Sequence, residues 1–94
     1  MGSYRLTFEA KADIKRVYYY GLEQYGEAQA DRYLRGLFTH LQKIANTPLA
    51  YPADDIRDGY RRSTYGSDVI FFRSSRDVVE VMAVLGKQDR EQWL

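Results

Sequence analysis

The chain has 94 residues, of which 45% are hydrophobic and 29% charged, and its formal net charge is +1. These values are typical of an ordinary globular protein, and we expect one domain over residues 1–94. The nearly balanced charge argues against bulk electrostatic binding of nucleic acid. Because the sequence has no cysteine, it offers no disulfide framework and no thiolate nucleophile or metal ligand.

Hydropathy and tyrosine content add two further expectations. The sequence has no run of about 18 apolar residues and no apolar segment after a basic start, so we expect neither a membrane span nor a secretory signal. A cytoplasmic protein is therefore expected. Nine tyrosines are present, and their apolar rings with polar tips suit interfaces, although they also suit the edges of a small core.

The first predicted elements are a short strand and an amphipathic helix. Residues Tyr4–Phe8 alternate between apolar and polar, which predicts a strand. Thr7 is suited to cap the following helix, and Gly26 to end it in a left-handed conformation. The apolar stripe of this helix has spacings of three and four residues: Ala10, Ile14, Val17, Tyr18, Gly21 and Leu22.

A second helix is predicted to begin at Glu27. It ends before Pro48, because the residue preceding a proline is displaced from the helical region. Since the link between the helices is so short, they must fold back as an antiparallel hairpin over about residues 8–46. The second apolar stripe is long: Ala30, Tyr33, Leu34, Leu37, Leu41, Ile44 and Ala45.

Three strands are predicted in the last third of the chain, after an irregular segment over residues 48–58. Apolar-rich runs at 59–65, 69–73 and 78–85, separated by turn residues, indicate a β-meander over about residues 59–85. The last run is apolar on both faces except at Glu80, so this strand should be central or covered by a helix. A polar tail covers residues 86–94. The order βααβββ predicts an α+β fold, with the helical hairpin packed on a small, antiparallel-rich sheet.

No catalytic or metal-binding pattern emerges. His40 is the only histidine and lies within the second helix without the spacing of a metal motif. We therefore interpret it as a structural or surface histidine. No serine lies in a nucleophile elbow, and the scattered glycines form no phosphate loop. We therefore predict no catalytic residue, no metal and no cofactor.

Arginines are the other candidates for function. Arg57, Arg61 and Arg62 lie near the start of the meander, and Arg73 ends its second strand. If these strands form a hairpin across Gly66, Arg61 or Arg62 approaches Arg73, and such a cluster suits phosphates or an acidic partner. The alternative is a solvated sheet face balanced by nearby aspartates: Asp54, Asp55 and Asp58.

Several segments carry a family resemblance. They are Tyr4–Ile14, Gln24–Leu34 between the helices, Arg57–Arg61 followed by Tyr65–Gly66 and then Val69–Arg73, and Glu80–Val81 with Val84–Leu85 and Asp89 beyond. In this order and spacing they cover nearly the whole chain, and together they resemble the ParE-type toxins of the RelE/ParE superfamily.

The resemblance implies the same βααβββ fold and the toxin of a type II toxin–antitoxin pair, encoded beside a ParD-like antitoxin. ParE-type toxins with an assigned target mostly poison DNA gyrase by stabilising its cleaved-DNA complex. The antitoxin is expected to wrap the toxin with helices and an extended strand, in a heterotetramer or larger hetero-oligomer. Operator DNA would be contacted only through the antitoxin.

The superfamily also contains ribosome-dependent mRNA endoribonucleases, which need a general base and acid beside cationic residues. Those members typically place a histidine or tyrosine at or after the last strand, where this chain has neither within Gly86–Arg90. We therefore expect a gyrase inhibitor that is not an enzyme. Endoribonuclease activity and a non-toxic antitoxin-binding module remain the alternatives. Many ParE-type toxins also have a histidine and an arginine in this segment, and the chain departs from that pattern.

Two sets of site residues follow. Three consecutive tyrosines on one helix cannot all face inward, and arginines suit acidic residues of a partner, so six residues are predicted to bind the antitoxin: Tyr18, Tyr19, Tyr20, Tyr25, Arg57 and Arg61. The resemblance implicates the C-terminal tail in toxicity, and six residues on the basic sheet face and the tail are predicted to contact the target: Arg61, Arg73, Lys87, Asp89, Arg90 and Trp93.

Overall fold

The computed structural model describes residues 2–55 and 57–86, and it confirms the predicted α+β fold. Two helices pack on one face of a mixed four-stranded sheet. The elements are β1 (Ser3–Leu6), α1 (Phe8–Tyr25), α2 (Glu27–Asn46), a turn of 3-10 helix (Pro48–Ala50), β2 (Arg61–Tyr65), β3 (Asp68–Ser75) and β4 (Val78–Gly86). Within these residues, no helix is both long and apolar enough to cross a membrane.

The strand order is β1-β4-β3-β2. β1 runs parallel to β4, and the other neighbouring strands are antiparallel. The prediction that the last strand is central or covered by a helix is confirmed, because β4 lies between β1 and β3 and is buried along most of its length. The start of β2 is covered at its outer edge, where Ala53 forms a bridge with Arg61.

Three predicted boundaries need correction. β1 ends at Leu6 and does not reach Phe8, because Thr7 already caps α1 and its Oγ1 accepts a hydrogen bond from Ala10 N at 3.1 Å. β2 begins at Arg61, since Gly59 takes a φ of +83° in the preceding turn. β3 is longer than its apolar core, because backbone pairing with β4 continues through its serines to Ser75.

Gly26 ends α1 as predicted, but in a different conformation. Its φ is +89° while its ψ is 170°, so the backbone is extended and not left-handed helical. Its N–H donates to Leu22 O at 3.2 Å, and its carbonyl oxygen accepts from Ala30 N at 3.0 Å. One glycine therefore caps both helices, which explains how so short a link closes the hairpin.

The main core lies between the helices and the sheet. A smaller buried cluster lies on the opposite sheet face and contains Phe71 and Ala83. Alternation along β3 explains both, because successive side chains point to opposite faces. The main core draws on α1, α2 and the two central strands: Ala10, Ile14, Leu37, Leu41, Ile44, Ala45, Ile70, Phe72, Val79, Val81 and Val84.

Candidate functional site

A cleft of about 250 Å³ opens between the two helices, and we call it the tyrosine cleft. The helices approach closely at its base, where a Cβ added to Gly21 would lie 3.4 Å from the Cβ of Ala30. Small residues at this crossing let the backbones come together, while larger side chains around it leave a hollow. The cleft is defined by four tyrosines and one carboxylate: Tyr18, Tyr20, Tyr25, Tyr33 and Asp68.

Two of these tyrosines have their hydroxyl groups fixed by carboxylates. Tyr18 donates to Asp31 Oδ1 at 2.6 Å, and this hydrogen bond, with burial, raises the pKa of Tyr18. The hydroxyl of Tyr33 lies 2.7 Å from Asp68 Oδ2 and 2.9 Å from the carbonyl oxygen of Tyr65, so one hydrogen serves two acceptors. Burial and the hydrogen bond to Asp68 raise the pKa of Tyr33, so its hydroxyl stays protonated.

The structure brings most of the predicted tyrosines together. Tyr18, Tyr20 and Tyr25 line the cleft, and Tyr20 and Tyr25 are 59% and 60% exposed. Tyr19 is equally exposed but lies beside the cleft, where its ring packs edge-on against Tyr18 with centroids 6.0 Å apart. Sequence reasoning missed Tyr33 as a member of this surface, because it was assigned to the apolar stripe of α2.

A second surface, which we call the arginine face, lies on the side of the sheet away from the helices. Glu80 is only 8% exposed and pairs with two guanidinium groups there. Arg5 Nη2 lies 2.6 Å from Glu80 Oε2, and Arg73 Nε lies 2.7 Å from Glu80 Oε1. Hydrogen bonds from Arg5 and Arg73 lower the pKa of Glu80. Two cations around one anion leave an excess positive charge on a rigid strand surface.

A hollow of about 540 Å³ lies at the end of the sheet and is lined by Phe8, Arg57, Tyr60 and Met82. The guanidinium carbon of Arg57 lies 5.8 Å from the centroid of the Tyr60 ring, within the range of a cation–π contact. Phe8 is highly exposed at its rim. Arg57 therefore lines this hollow and not the tyrosine cleft, although both are predicted to bind the antitoxin.

The predicted approach to Arg73 is wrong for Arg61. Arg61 pairs with Phe72 and therefore points to the helix side of the sheet, where its Nη1 donates to Tyr51 O at 2.7 Å. Arg62 pairs with Phe71, so it shares the arginine face with Arg73 and lies diagonally across from it, and its Nη1 donates to Ala53 O at 3.0 Å.

Sequence reasoning also missed Arg5. It reaches Glu80 because β1 and β4 pair in parallel with these two residues opposite each other. A signal was present: Glu80 is the one charge in an otherwise apolar strand, and a buried carboxylate needs cationic partners. The sequence did not indicate which cations these are.

His40 lies between the layers. Its Nε2 is 2.8 Å from Ser63 Oγ, and its ring centroid is 5.4 Å from that of Tyr65. Burial, with the nearby charge of Lys43, lowers the pKa of His40. Within residues 2–55 and 57–86, no group of three histidine, aspartate or glutamate side chains could hold a metal ion. Four predicted target-binding residues lie outside the described residues: Lys87, Asp89, Arg90 and Trp93.

Residues 4–91 match the sequence model of a family described as the ParE toxin of the type II toxin–antitoxin system parDE. The chain belongs to the ParE toxin family. It is 38% identical over 86 residues to the toxin ParE1 of Caulobacter vibrioides, a match that covers 90% of this chain and 88% of that protein. It is 31% identical over 84 residues to the toxin ParE1 of Mycobacterium tuberculosis, covering 87% and 86% of the two chains.

Two solved structures have the same fold. A chain of the chromosomal ParDE toxin–antitoxin system from P. aeruginosa superposes with a TM-score of 0.81 at 16% identity, covering 92% of this chain and 96% of that one. A chain of the toxin–antitoxin complex RelBE2 from Mycobacterium tuberculosis gives a TM-score of 0.67 at 15% identity, covering 92% and 98%. At these identities the likeness concerns the fold, which the ParE toxin family therefore shares with a RelBE complex chain.

The two surfaces of this ParE-family chain have different chemistry. The tyrosine cleft offers aromatic and apolar area beside carboxylates, whereas the arginine face offers charged hydrogen-bond donors held by a buried glutamate. The only histidine of the sequence is packed against Ser63 between the layers and does not lie on the arginine face. The described part of the arginine face can therefore bind an anion, but it has no histidine for proton transfer.

Proposed function

We propose that this protein is the toxin of a type II toxin–antitoxin pair and inhibits DNA gyrase by stabilising its cleaved-DNA complex. The observation that carries the proposal is the family match over residues 4–91. The position of His40 between the layers supports an inhibitor that binds an enzyme without itself being one. A ParD-like antitoxin would neutralise the toxin, in a heterotetramer or larger assembly, and would make all contacts with operator DNA.

We assign target binding to the arginine face and the C-terminal tail. Arg73 and Arg5 present guanidinium groups whose direction is fixed by Glu80, and fixed donors suit DNA phosphates or carboxylates of the target. Their long side chains need little further ordering, because Glu80 already holds them. The tail residues of the predicted set and Arg61 remain part of this proposal: Arg61, Lys87, Asp89, Arg90 and Trp93.

We assign antitoxin binding to the helical hairpin. The exposed rings of Tyr19, Tyr20 and Tyr25 provide the aromatic area that protein interfaces favour. β1 forms one edge of the sheet, and an extended antitoxin segment could add to it as a strand. Arg57 and Arg61 remain proposed partners for acidic antitoxin residues. Both structural neighbours belong to toxin–antitoxin systems, which supports an antitoxin partner.

A DNA cleavage assay tests the proposed target. Purified toxin, gyrase from the same organism, supercoiled plasmid and ATP should yield linear plasmid that is released only after denaturant and protease. We expect Arg73→Gln to reduce the linear product, because Glu80 keeps Arg5 as a partner while one donor is lost. Arg32→Gln, on the exposed surface of α2, is the matched control and should leave the product unchanged. Growth arrest without linear plasmid would contradict gyrase as the target.

Ribosome-dependent mRNA cleavage is the second candidate. It is favoured by one observation: Tyr60 lies beside Arg57, whose guanidinium carbon is 5.8 Å from the ring centroid, so a phenol lies near a cation that could stabilise a strained phosphate. Discrete mRNA cuts before any loss of DNA synthesis would favour this activity, and intact transcripts during growth arrest would exclude it. A chain that arrests no growth without its antitoxin would instead be a non-toxic binding module.

A further inference from the structure

We propose that the tyrosine cleft is a receptor for one cationic side chain, an arginine or lysine, in the toxin-binding segment of the antitoxin. The chemistry of the cleft indicates a cationic ligand, and the identity of the partner rests on the proposed function. An apolar side chain would use only part of this cleft, and an acidic one would be repelled by it.

The size of the cleft suits one long side chain. Its volume of about 250 Å³ corresponds to about eight water molecules at their share of liquid volume. Val17 and Leu34 contribute apolar surface beside the tyrosine rings. The methylene stem of an arginine or lysine can lie along such surface while its charged end reaches a polar group.

The charges around the cleft are negative. Asp68 lines it, Asp31 holds the hydroxyl of Tyr18, and Glu27 interacts electrostatically with the same hydroxyl. None of the described residues that line the cleft is a lysine or arginine. The local charge therefore contrasts with the net charge of +1 for the whole chain, and it is complementary to a cation.

Asp68 gives the most specific indication. It is only 7% exposed, and its carboxylate accepts a hydrogen bond from the neutral hydroxyl of Tyr33. In residues 2–55 and 57–86 it forms no ion pair, although buried carboxylates generally have a cationic partner. Glu80, equally buried, has two. Asp68 thus lines a cleft large enough to admit the cation that it lacks among the described residues.

The tyrosine rings complete the receptor. An arginine or lysine over an aromatic ring is attracted by the negative face of the ring, and arginine makes such contacts most often. Tyr18 and Tyr33 donate hydrogen bonds to carboxylates, which polarises their rings toward greater negative charge. The rings and Asp68 therefore attract the same kind of side chain.

A titration with a model compound tests the cleft independently of any antitoxin. N-acetyl-arginine methylamide is added to the isotopically labelled protein, and amide shifts are followed at Gly21, Ala30 and Ser67. The citrulline analogue, which is neutral and nearly isosteric, should bind about tenfold more weakly or worse. Equal shifts with both compounds, or no saturable shift with the arginine compound, would overturn the proposal.

Variants of the protein locate the charge. Asp68→Asn keeps an acceptor for the Tyr33 hydroxyl but removes the negative charge. It should lower the affinity for the arginine compound about tenfold. Asp77→Asn, an exposed aspartate in the turn between β3 and β4, is the matched control and should have no effect. Unchanged binding to Asp68→Asn would also overturn the proposal.

The antitoxin provides the second measurement. The ParD-like protein encoded beside this chain should bind Asp68→Asn at least about tenfold more weakly than the unaltered toxin, with a smaller dependence on salt. Replacing the inserted arginine or lysine of the antitoxin by glutamine should lower its affinity for the unaltered toxin. The same replacement should have little further effect on its affinity for the Asp68→Asn toxin. If the unaltered toxin binds no antitoxin, the proposed function fails, whereas equal affinities for both toxins contradict only the cation receptor.

Discussion

The hydroxyl of Tyr33 ties α2 to the turn between β2 and β3, and Tyr33→Phe removes that tie alone. The ring remains, so its packing against Tyr65, with centroids 5.0 Å apart, is kept. The lost hydrogen bonds run to Asp68 Oδ2 at 2.7 Å and to Tyr65 O at 2.9 Å. Asp68 is only 7% exposed, so only water that enters the tyrosine cleft could replace the donor.

The expected cost follows from the charge of the acceptor. A hydrogen bond to a charged group contributes about 1.5–3 kcal/mol, and a buried acceptor left without its donor costs a similar amount. Tyr33→Phe should therefore lower the free energy of unfolding by about 1.5–3 kcal/mol. For a domain of this size that corresponds to a fall in Tm of roughly 6 °C or more. Urea unfolding measures the change, with an unchanged m-value.

Two comparisons make this prediction refutable. Tyr25→Phe removes a hydroxyl from a ring that is 60% exposed, and it should change stability by no more than about 0.5 kcal/mol. In an Asp68→Asn background, Tyr33→Phe should cost only about 0.5–1.5 kcal/mol, because the acceptor is then neutral. A cost of Tyr33→Phe no larger than that of Tyr25→Phe, or the same cost in both backgrounds, would refute the reasoning.

Two further predictions concern the packing of α2 on the sheet. The lowered pKa of His40 means that the folded state binds a proton at His40 less readily than the unfolded state does. The contribution of neutral His40 to the free energy of unfolding is therefore complete above the unfolded pKa of about 6.5 and is lost as pH falls through the lowered folded value. We expect His40→Gln to reduce the pH dependence of the free energy of unfolding in urea between about pH 7.5 and about pH 5. Gly36→Ala should destabilise the fold, because the added methyl group overlaps the Tyr65 hydroxyl. The overpacking cost of about 1–3 kcal/mol should exceed the helix-propensity gain of about 1 kcal/mol, and Tyr65→Phe in the same chain should recover part of the loss of Tm.

Local patterns predicted the elements of this fold and their order. The stripes of α1 and α2, the cap at Thr7 and the end of α1 at Gly26 depend on residues within a few positions of each other. The central position of β4 followed from a run that is apolar on both faces. The resemblance to ParE-type toxins depended on the same linear order, and the family match bears it out.

The candidate sites depend on register and topology, which join residues far apart in the sequence. A shift of one residue along a strand moves a side chain to the other face of the sheet, and this separates Arg61 from Arg73. Arg5 meets Glu80 across 75 positions only because β1 pairs in parallel with β4. Tyr33 likewise meets Asp68 across 35 positions, where α2 crosses the turn between β2 and β3. The sequence alone determined which segments are helices and strands, because those preferences are local. Only the tertiary structure decided which charges and rings face one another, because that depends on how the segments pair and pack.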